Sequence, residues 1–271
     1  MASDWGRYAR TLRRFWGTAL AGQLEYQLNL LIELLAMAGN LAGSLFVLSL
    51  FYGNASGGAG TGLGGWSWPE AMVVLGVYTL LDGVSSTLLR PNLSRIVTHV
   101  QEGTLDFVLL KPIDSQFWLS ARTVSPAGLP EIAVGLALML GAGLKAGAHL
   151  DAATLALVAV LVLSSTVILY ALWFLLATTS IWFVKTWNAT EVLRAALAAG
   201  RYPITAYPAG LRTLFTLVLP VAFLTTVPAE AVLGRVSGPW ALASLGVAVG
   251  FLLLSRAFWR FALRFYTSAS S

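Results

Sequence analysis

The sequence predicts an all-α membrane protein with six transmembrane helices, an amphipathic interfacial helix at the N-terminus and a short cytoplasmic helix between the second and third spans. Three observations favour this fold class. Of the 271 residues, 57% are hydrophobic and only 11% are charged, and the mean hydropathy is +0.76. A soluble domain carries roughly 25% charged residues, so this chain has too few charges to solvate a globule. We therefore expect a single transmembrane domain over residues 1–271.

Six stretches contain roughly the 20 apolar residues that a bilayer requires. The fourth is the clearest because it carries no charge, and the third is the weakest because Glu131 and Lys145 lie near its ends. Pro220 favours a break and re-entry in the fifth stretch over a straight helix. The predicted spans are residues 26–52, 69–89, 128–147, 152–184, 211–227 and 240–256.

The distribution of basic residues orients these spans. With a cytoplasmic N-terminus, fifteen of the seventeen Lys and Arg fall inside, and only Lys145 and Arg235 fall outside. This asymmetry is a strong positive-inside signal, and it predicts that both termini are cytoplasmic. Because the basic residues are spread over four cytoplasmic segments as topology signals, the net charge of +5 does not indicate a nucleic-acid partner.

Residues 4–24 have an amphipathic pattern. Aromatic and leucine side chains recur there at spacings of three or four, and arginines occupy much of the remainder. This pattern predicts a helix that lies in the cytoplasmic interface and contacts membrane lipid. A partly ordered basic tail is the alternative.

The residues that carry most enzymatic chemistry are missing or scattered. The chain has no cysteine, and its two histidines, His99 and His149, lie in different segments without metal-ligand spacing. The dipeptide Gly-Lys never occurs, which excludes a phosphate-binding loop of the GxxxxGK[ST] type. We therefore expect no enzyme activity and no bound cofactor or metal in this chain. If ATP drives the protein, another chain must hydrolyse it.

The loop between the second and third spans contains the most unusual stretch. Gly103 suits the end of a preceding helix, and Thr104 is placed to cap a new one with the sequence LDFVLL. Lys111 and Pro112 end this helix after about two turns, so five apolar side chains are held at the cytoplasmic surface: Leu105, Phe107, Val108, Leu109 and Leu110. A short helix of this kind suits insertion into a groove of a partner protein. A helix that lies on lipid is the alternative.

The same stretch, QEGTLDFVLLKPIDSQF at residues 101–117, resembles the cytoplasmic segment of ABC-2 type permeases, which are membrane subunits of ABC exporters. The similarity covers the whole chain. It includes GRYPITAYPAGLR at residues 200–212, VLPVAFLTTVPAEAVLGR at residues 218–235 and RFYTSASS at residues 264–271.

The resemblance implies that the loop after the second span forms a coupling helix, which docks on a separate cytoplasmic ATPase. ATP and Mg would bind to that ATPase. It also implies a dimer with a second copy or a paralogous permease, and short re-entrant helices at the outer face between spans five and six. The residues to which the coupling role extends are Gly103, Thr104, Leu105, Asp106, Phe107, Leu109, Lys111 and Pro112. The rival hypothesis is an ion-coupled secondary transporter that acts without an ATPase.

The substrate path has weaker candidates. Glu33 and Asp82 are mid-span acids, and burying such groups is costly, so they are candidates for function. Hydrogen bonding to neighbouring helices is the alternative. Hydroxyl side chains of the fourth span complete the predicted path: Ser164, Ser165, Thr166, Thr178 and Thr179.

Two pairs of small residues, Gly39 with Gly43 and Gly246 with Gly250, permit close helix packing, either within one subunit or between two. Fourteen Arg against three Lys, with abundant Ala and Gly, is typical of a GC-rich prokaryote. We therefore expect a multi-pass protein of the plasma membrane.

Overall fold

The structure is a computed structural model, which describes Leu12, Trp16 and residues 27–53, 62–183 and 193–267. All regular secondary structure in these residues is helical, and none of them forms a β-strand. The α-helices used below are α1 (Gln27–Gly53), α2 (Trp68–Val84), α3 (Arg90–Gln101), α4 (Asp106–Leu109), α5 (Ser115–Ala121), α6 (Leu129–Lys145), α7 (Ala152–Thr178), α8 (Ala209–Thr213), α9 (Val227–Val232) and α10 (Gly238–Ala262).

Five helices are long and apolar enough to cross a membrane. They are Leu31–Tyr52, Trp68–Gln101, Pro126–Lys145, Ala152–Ile181 and Gly238–Ala262. A bent pair, Ala209–Val218 with Ala222–Val232, makes a sixth span if it is counted as one. The fold is therefore the predicted all-helical membrane protein, with five to six candidate spans.

The second span is longer than the sequence predicted. A π-helical turn, Ser85–Leu89, joins α2 directly to α3, so one continuous helix runs from Trp68 to Gln101 instead of ending at residue 89. Pro91 lies in the first turn of α3 and has no N–H to donate. The wider π-helical turn before it lets the helix continue past the proline. As a result, α3 continues α2 without a break in the helix.

The predicted break at Pro220 is present. Leu219 adopts an extended conformation (φ −108°, ψ 98°), as expected for the residue before a proline, and the two halves of the helix meet at 78°. The half before the break is largely exposed, whereas nearly every residue of Ala222–Val232 is buried. Because α9 and the π-helical turn before it pack against α2 and α7, the second half is part of the core.

Glycines form the contact between α2 and α6. A Cβ atom added at Gly135 would lie 2.6 Å from the Cα of Leu80, and one added at Gly76 would lie 2.7 Å from the Cα of Met139. The two backbones therefore touch at these positions, where no side chain fits. This close packing makes α2 the most buried of the spans.

The glycine pairs singled out from the sequence are not used in this way. Added Cβ atoms would meet nothing within 4 Å at Gly39, Gly43, Gly246 and Gly250. These glycines lie on α1 and α10, the two least buried spans. Their faces are thus open within the described part of one subunit.

The predicted interfacial helix at residues 4–24 lies outside the described residues, except for Leu12 and Trp16. Both of these are helical, and the indole Nε1–H of Trp16 donates a hydrogen bond to the carbonyl oxygen of Ala121 at 3.2 Å. Trp16 is therefore in contact with the end of α5.

Candidate functional site

The short helix α4 follows a sharp turn at the end of α3. Gly103 has φ of +67°, a left-handed conformation that favours glycine, so it ends the preceding helix as predicted. Thr104 does not form the predicted cap: its Oγ1 lies 2.7 Å from Nδ1 of His99, and no side chain caps α4. The hydroxyl of Thr104 instead forms a hydrogen bond with His99 and so connects the turn to α3.

The side chains of α4 divide into an inner and an outer face. Leu105 and Val108 are buried, at 0% and 1% exposure. Phe107 and Leu110 are 68% and 82% exposed, and Leu109 is partly exposed at 38%. The inner side chains anchor the helix to the rest of the subunit, and the outer ones form an apolar surface.

Asp114 links this region to the last helix. Its carboxylate caps α5 by accepting a hydrogen bond from the N–H of Phe117 at 2.9 Å, and it forms an ion pair with Arg256 of α10. Burial by itself raises the pKa of Asp114, but the Arg256 guanidinium and the N–H groups of α5 outweigh it and hold that pKa below the ordinary value. Asp114 is therefore ionised at neutral pH and pairs α5 with α10.

Gln116 extends this connection to α7. Its amide donates hydrogen bonds to the hydroxyl of Tyr170 at 3.0 Å and to Ser255 Oγ at 3.3 Å, and its oxygen accepts one from Arg256 at 3.2 Å. The indole of Trp259 also donates to Ser115 Oγ at 3.0 Å. A buried polar network thus connects α5, directly after α4, to both α7 and α10.

A polar cleft of about 510 Å³ lies mainly between α1 and α2. The two acids predicted from the sequence, Glu33 and Asp82, both line it, together with Glu131 at the start of α6. Arg90 pairs with Asp82, and Ser86 Oγ donates a hydrogen bond to Glu131 Oε2 at 2.9 Å. The fold therefore brings three carboxylates from three helices into one cleft.

The predicted hydroxyls of the fourth span lie elsewhere. Ser164 donates to the carbonyl oxygen of Ser244 on α10 at 2.8 Å, and Ser165 donates to that of Phe223 at 2.8 Å. Thr166, Thr178 and Thr179 donate to carbonyl oxygens of their own helix. None of the five lines the cleft. In one subunit, Ser164 and Ser165 join α7 to neighbouring helices, whereas the three threonines bond within their own helix.

Sequence reasoning missed Arg256, Gln116 and Tyr170 as members of the network. Arg256 was counted only as a topology signal, and Gln116 and Tyr170 carry no motif. The helical spacing of Arg256 and Trp259 on α10 was the available signal, since it places both on one face. Their partners on α5 could not be read from the sequence.

The ion pair between Asp114 and Arg256 predicts a specific pH dependence. We expect Asp114→Asn to lower the stability at pH 7 by up to about 1 kcal/mol, or roughly 2–4 °C in Tm. The folded pKa of Asp114 lies below its ordinary value of 3.8, so the stabilisation is fully present above that value and is lost as the pH falls through the folded pKa. Thermal unfolding in detergent from pH 7 to pH 3 should show the two proteins converge only at the acidic end. A difference that vanishes by pH 6 would contradict this assignment.

The helical bundle with its apolar spans defines a multi-pass membrane protein. The sequence profile of a family described as ABC-2 family transporter protein matches residues 38–270. The chain therefore belongs to the ABC-2 transporter family, whose members are membrane permease components of ABC transporters. No curated protein and no solved structure matches the chain.

Proposed function

We propose that this chain is the permease subunit of an ATP-driven exporter, in which α4 docks on a separate cytoplasmic ATPase. The observation that carries the proposal is the division of α4 into two faces. Leu105 and Val108 anchor it, whereas Phe107 on the helix and Leu110 directly after it are exposed. Membership of the ABC-2 family supports an ATPase as the partner, and ATP and Mg would bind to that partner.

The network behind α4 suggests how movement reaches the spans. A displacement of α4 and α5 acts through Asp114 on Arg256 and through Gln116 on Tyr170, which belong to α10 and α7. The ATPase can shift the permease only if it binds the two conformations of this region with different affinity. Gly103, Thr104, Lys111 and Pro112 would set the orientation of α4 at its two ends.

A dimer is the second part of the proposal. The open glycine faces of α1 and α10 support it, because small residues let helices of two subunits approach closely. The partner subunit would be a second copy or a paralogous permease. Substrate would pass along their interface, with the cleft that contains Glu33 and Asp82 as its cytoplasmic-side entry. The hydroxyls of the fourth predicted span remain candidates for the substrate path only if α7 separates from its neighbouring helices during transport.

The test is purification of the chain in mild detergent from its native host, followed by identification of what accompanies it. We expect an ATPase subunit to co-purify and its activity to depend on the permease. Recovery without an ATPase, together with ion-driven transport by the purified chain, would favour the ion-coupled alternative. The three carboxylates in the cleft are the observation in favour of that alternative, and Asp82→Asn or Glu33→Gln should then abolish transport.

A further inference from the structure

Two basic side chains lie over the ring of one tryptophan next to α4, and a third basic side chain lies near them. The guanidinium of Arg122 lies 4.7 Å from the ring centre of Trp118, and the ammonium of Lys111 lies 5.1 Å from it. Both distances fall within the range of cation–π contacts. Arg95 on α3 is the third, and its positive charge acts on Arg122. Trp118, Arg122, Lys111 and Arg95 are called the Trp118 patch below.

Two hydrogen bonds between α3 and the segment after α5 hold Arg95 and Arg122 near each other despite the repulsion of their charges. The buried side chain of Asn92 donates a hydrogen bond to the carbonyl oxygen of Thr123 at 2.6 Å and accepts one from its N–H at 2.8 Å. Arg95 lies one turn beyond Asn92, and Arg122 directly precedes Thr123. Burial and the charge of Arg95 together lower the pKa of Arg122. The fold therefore enforces a concentration of positive charge.

Among the described residues, no ion pair is formed by Arg95, Lys111 or Arg122. The ion pairs of Arg90, Arg235 and Arg256 lie elsewhere. The negative charge of Glu102 acts on His99, whose ring centre lies 5.9 Å from that of Trp118. The Trp118 patch thus has the composition of a site for an anion.

The position of the patch favours a lipid headgroup as that anion. Arg122 comes shortly before Pro126, where the next candidate span begins. The indole of Trp16, from the amphipathic N-terminal segment, donates to Ala121 directly beside it. Tryptophan and basic side chains are enriched at this depth, where they meet the headgroups.

We propose that the Trp118 patch binds the phosphate group of an anionic phospholipid in the leaflet next to α4. Arg95 and Arg122 supply the charge, and Lys111 and Trp118 close the site on the side of α4. A bound headgroup would relieve the repulsion between the two arginines and hold the end of α5 against α3. The proposal stands independently of the ATPase, since it concerns lipid contacts of the permease itself.

The experiment measures thermal stability in a neutral detergent during titration with phosphatidylglycerol or phosphatidylcholine. The test variant is Arg95→Gln with Arg122→Gln. The matched control is Arg260→Gln with Arg264→Gln, which removes two exposed charges near the end of α10. Without lipid, we expect the test variant to be at least as stable as the wild type, because the repulsion is gone.

With phosphatidylglycerol, the wild type and the control should gain stability, and phosphatidylcholine should have little effect. Each basic residue near the membrane surface raises the affinity for anionic lipid roughly fivefold. The test variant, which lacks two of them, should therefore bind phosphatidylglycerol about 25-fold more weakly. Native mass spectrometry should show one retained phosphatidylglycerol in the wild type and the control.

Three results would overturn the proposal. Equal binding of phosphatidylglycerol by the test variant and the wild type would show that the patch is not the site. Full stabilisation by inorganic phosphate alone would assign the site to free phosphate instead of lipid. Unchanged lipid binding with loss of a co-purifying ATPase would assign the patch to protein docking.

Discussion

Replacement of Gly135 by leucine should prevent the protein from reaching its folded state. Gly135 lies where α6 touches the backbone of α2, and a Cβ atom there would already lie 2.6 Å from the Cα of Leu80. Backbone atoms cannot move aside as a flexible side chain would. Overpacking of a core typically lowers the free energy of unfolding by about 1–3 kcal/mol. We expect a leucine that meets backbone atoms to cost at least the upper value of this range. This cost is a large fraction of a marginal stability of about 5–15 kcal/mol.

The measurement is the yield of monodisperse protein in size-exclusion chromatography, with thermal unfolding of what remains. The matched control is Gly141→Leu on the same helix, where an added Cβ meets nothing within 4 Å. We expect the control to fold like the wild type and Gly135→Ala to be intermediate. Similar yields from the two leucine variants would show that α2 and α6 do not pack as described.

The same comparison separates folding from dimer formation. Gly39→Leu on α1 should leave the fold of one subunit intact, because its Cβ would also enter open space. If α1 contributes to the proposed dimer interface, this variant should shift the protein from dimer to monomer. Light scattering in detergent distinguishes the two states.

Replacement of Phe107 by aspartate should uncouple the permease from its ATPase without unfolding it. Phe107 is 68% exposed on α4, so the change costs little in the isolated subunit. A central apolar contact in an interface contributes typically 2 kcal/mol or more, so we expect about a 30-fold loss of affinity for the ATPase. Leu109→Asp should act in the same direction.

The control is Phe265→Asp, which places the same charge on another exposed aromatic residue beyond the end of α10. Both variants should be recovered from membranes at normal yield, and only Phe107→Asp should lose transport and ATPase stimulation. Gly103→Val tests the orientation of α4, since a β-branched residue is strained at φ of +67°. If Phe107→Asp and Gly103→Val both respond normally to the ATPase, α4 is not the docking element.

Much of this fold could be predicted from short-range patterns in the sequence. The apolar stretches marked the spans, Pro220 marked the break and Gly103 marked the end of α3. Each of these depends on a few neighbouring residues, because chain conformation at glycine, proline and helix caps is set by local sterics and hydrogen bonds.

Signals that depend on contacts with another helix were assigned less well. Thr104 had the right residue type for a cap, but His99 on the preceding helix competes for its hydroxyl. The hydroxyls of α7, including Ser164, were candidates for the path, yet α10 supplies the partner that keeps Ser164 inside the subunit. The fold places Glu33 and Asp82 in one cleft, which the sequence did not predict, and their role in the substrate path stays a prediction.

The sequence by itself determined that this chain crosses a membrane several times and that the helix at Pro220 breaks. These properties follow from composition and from short-range sterics. The tertiary structure alone decided which glycines form the contact between spans, which carboxylates share a cleft and which arginine pairs with Asp114. Periodicity marks the faces of a helix, but in lipid the neighbour of each face depends on close packing and polar contacts between residues far apart in the chain.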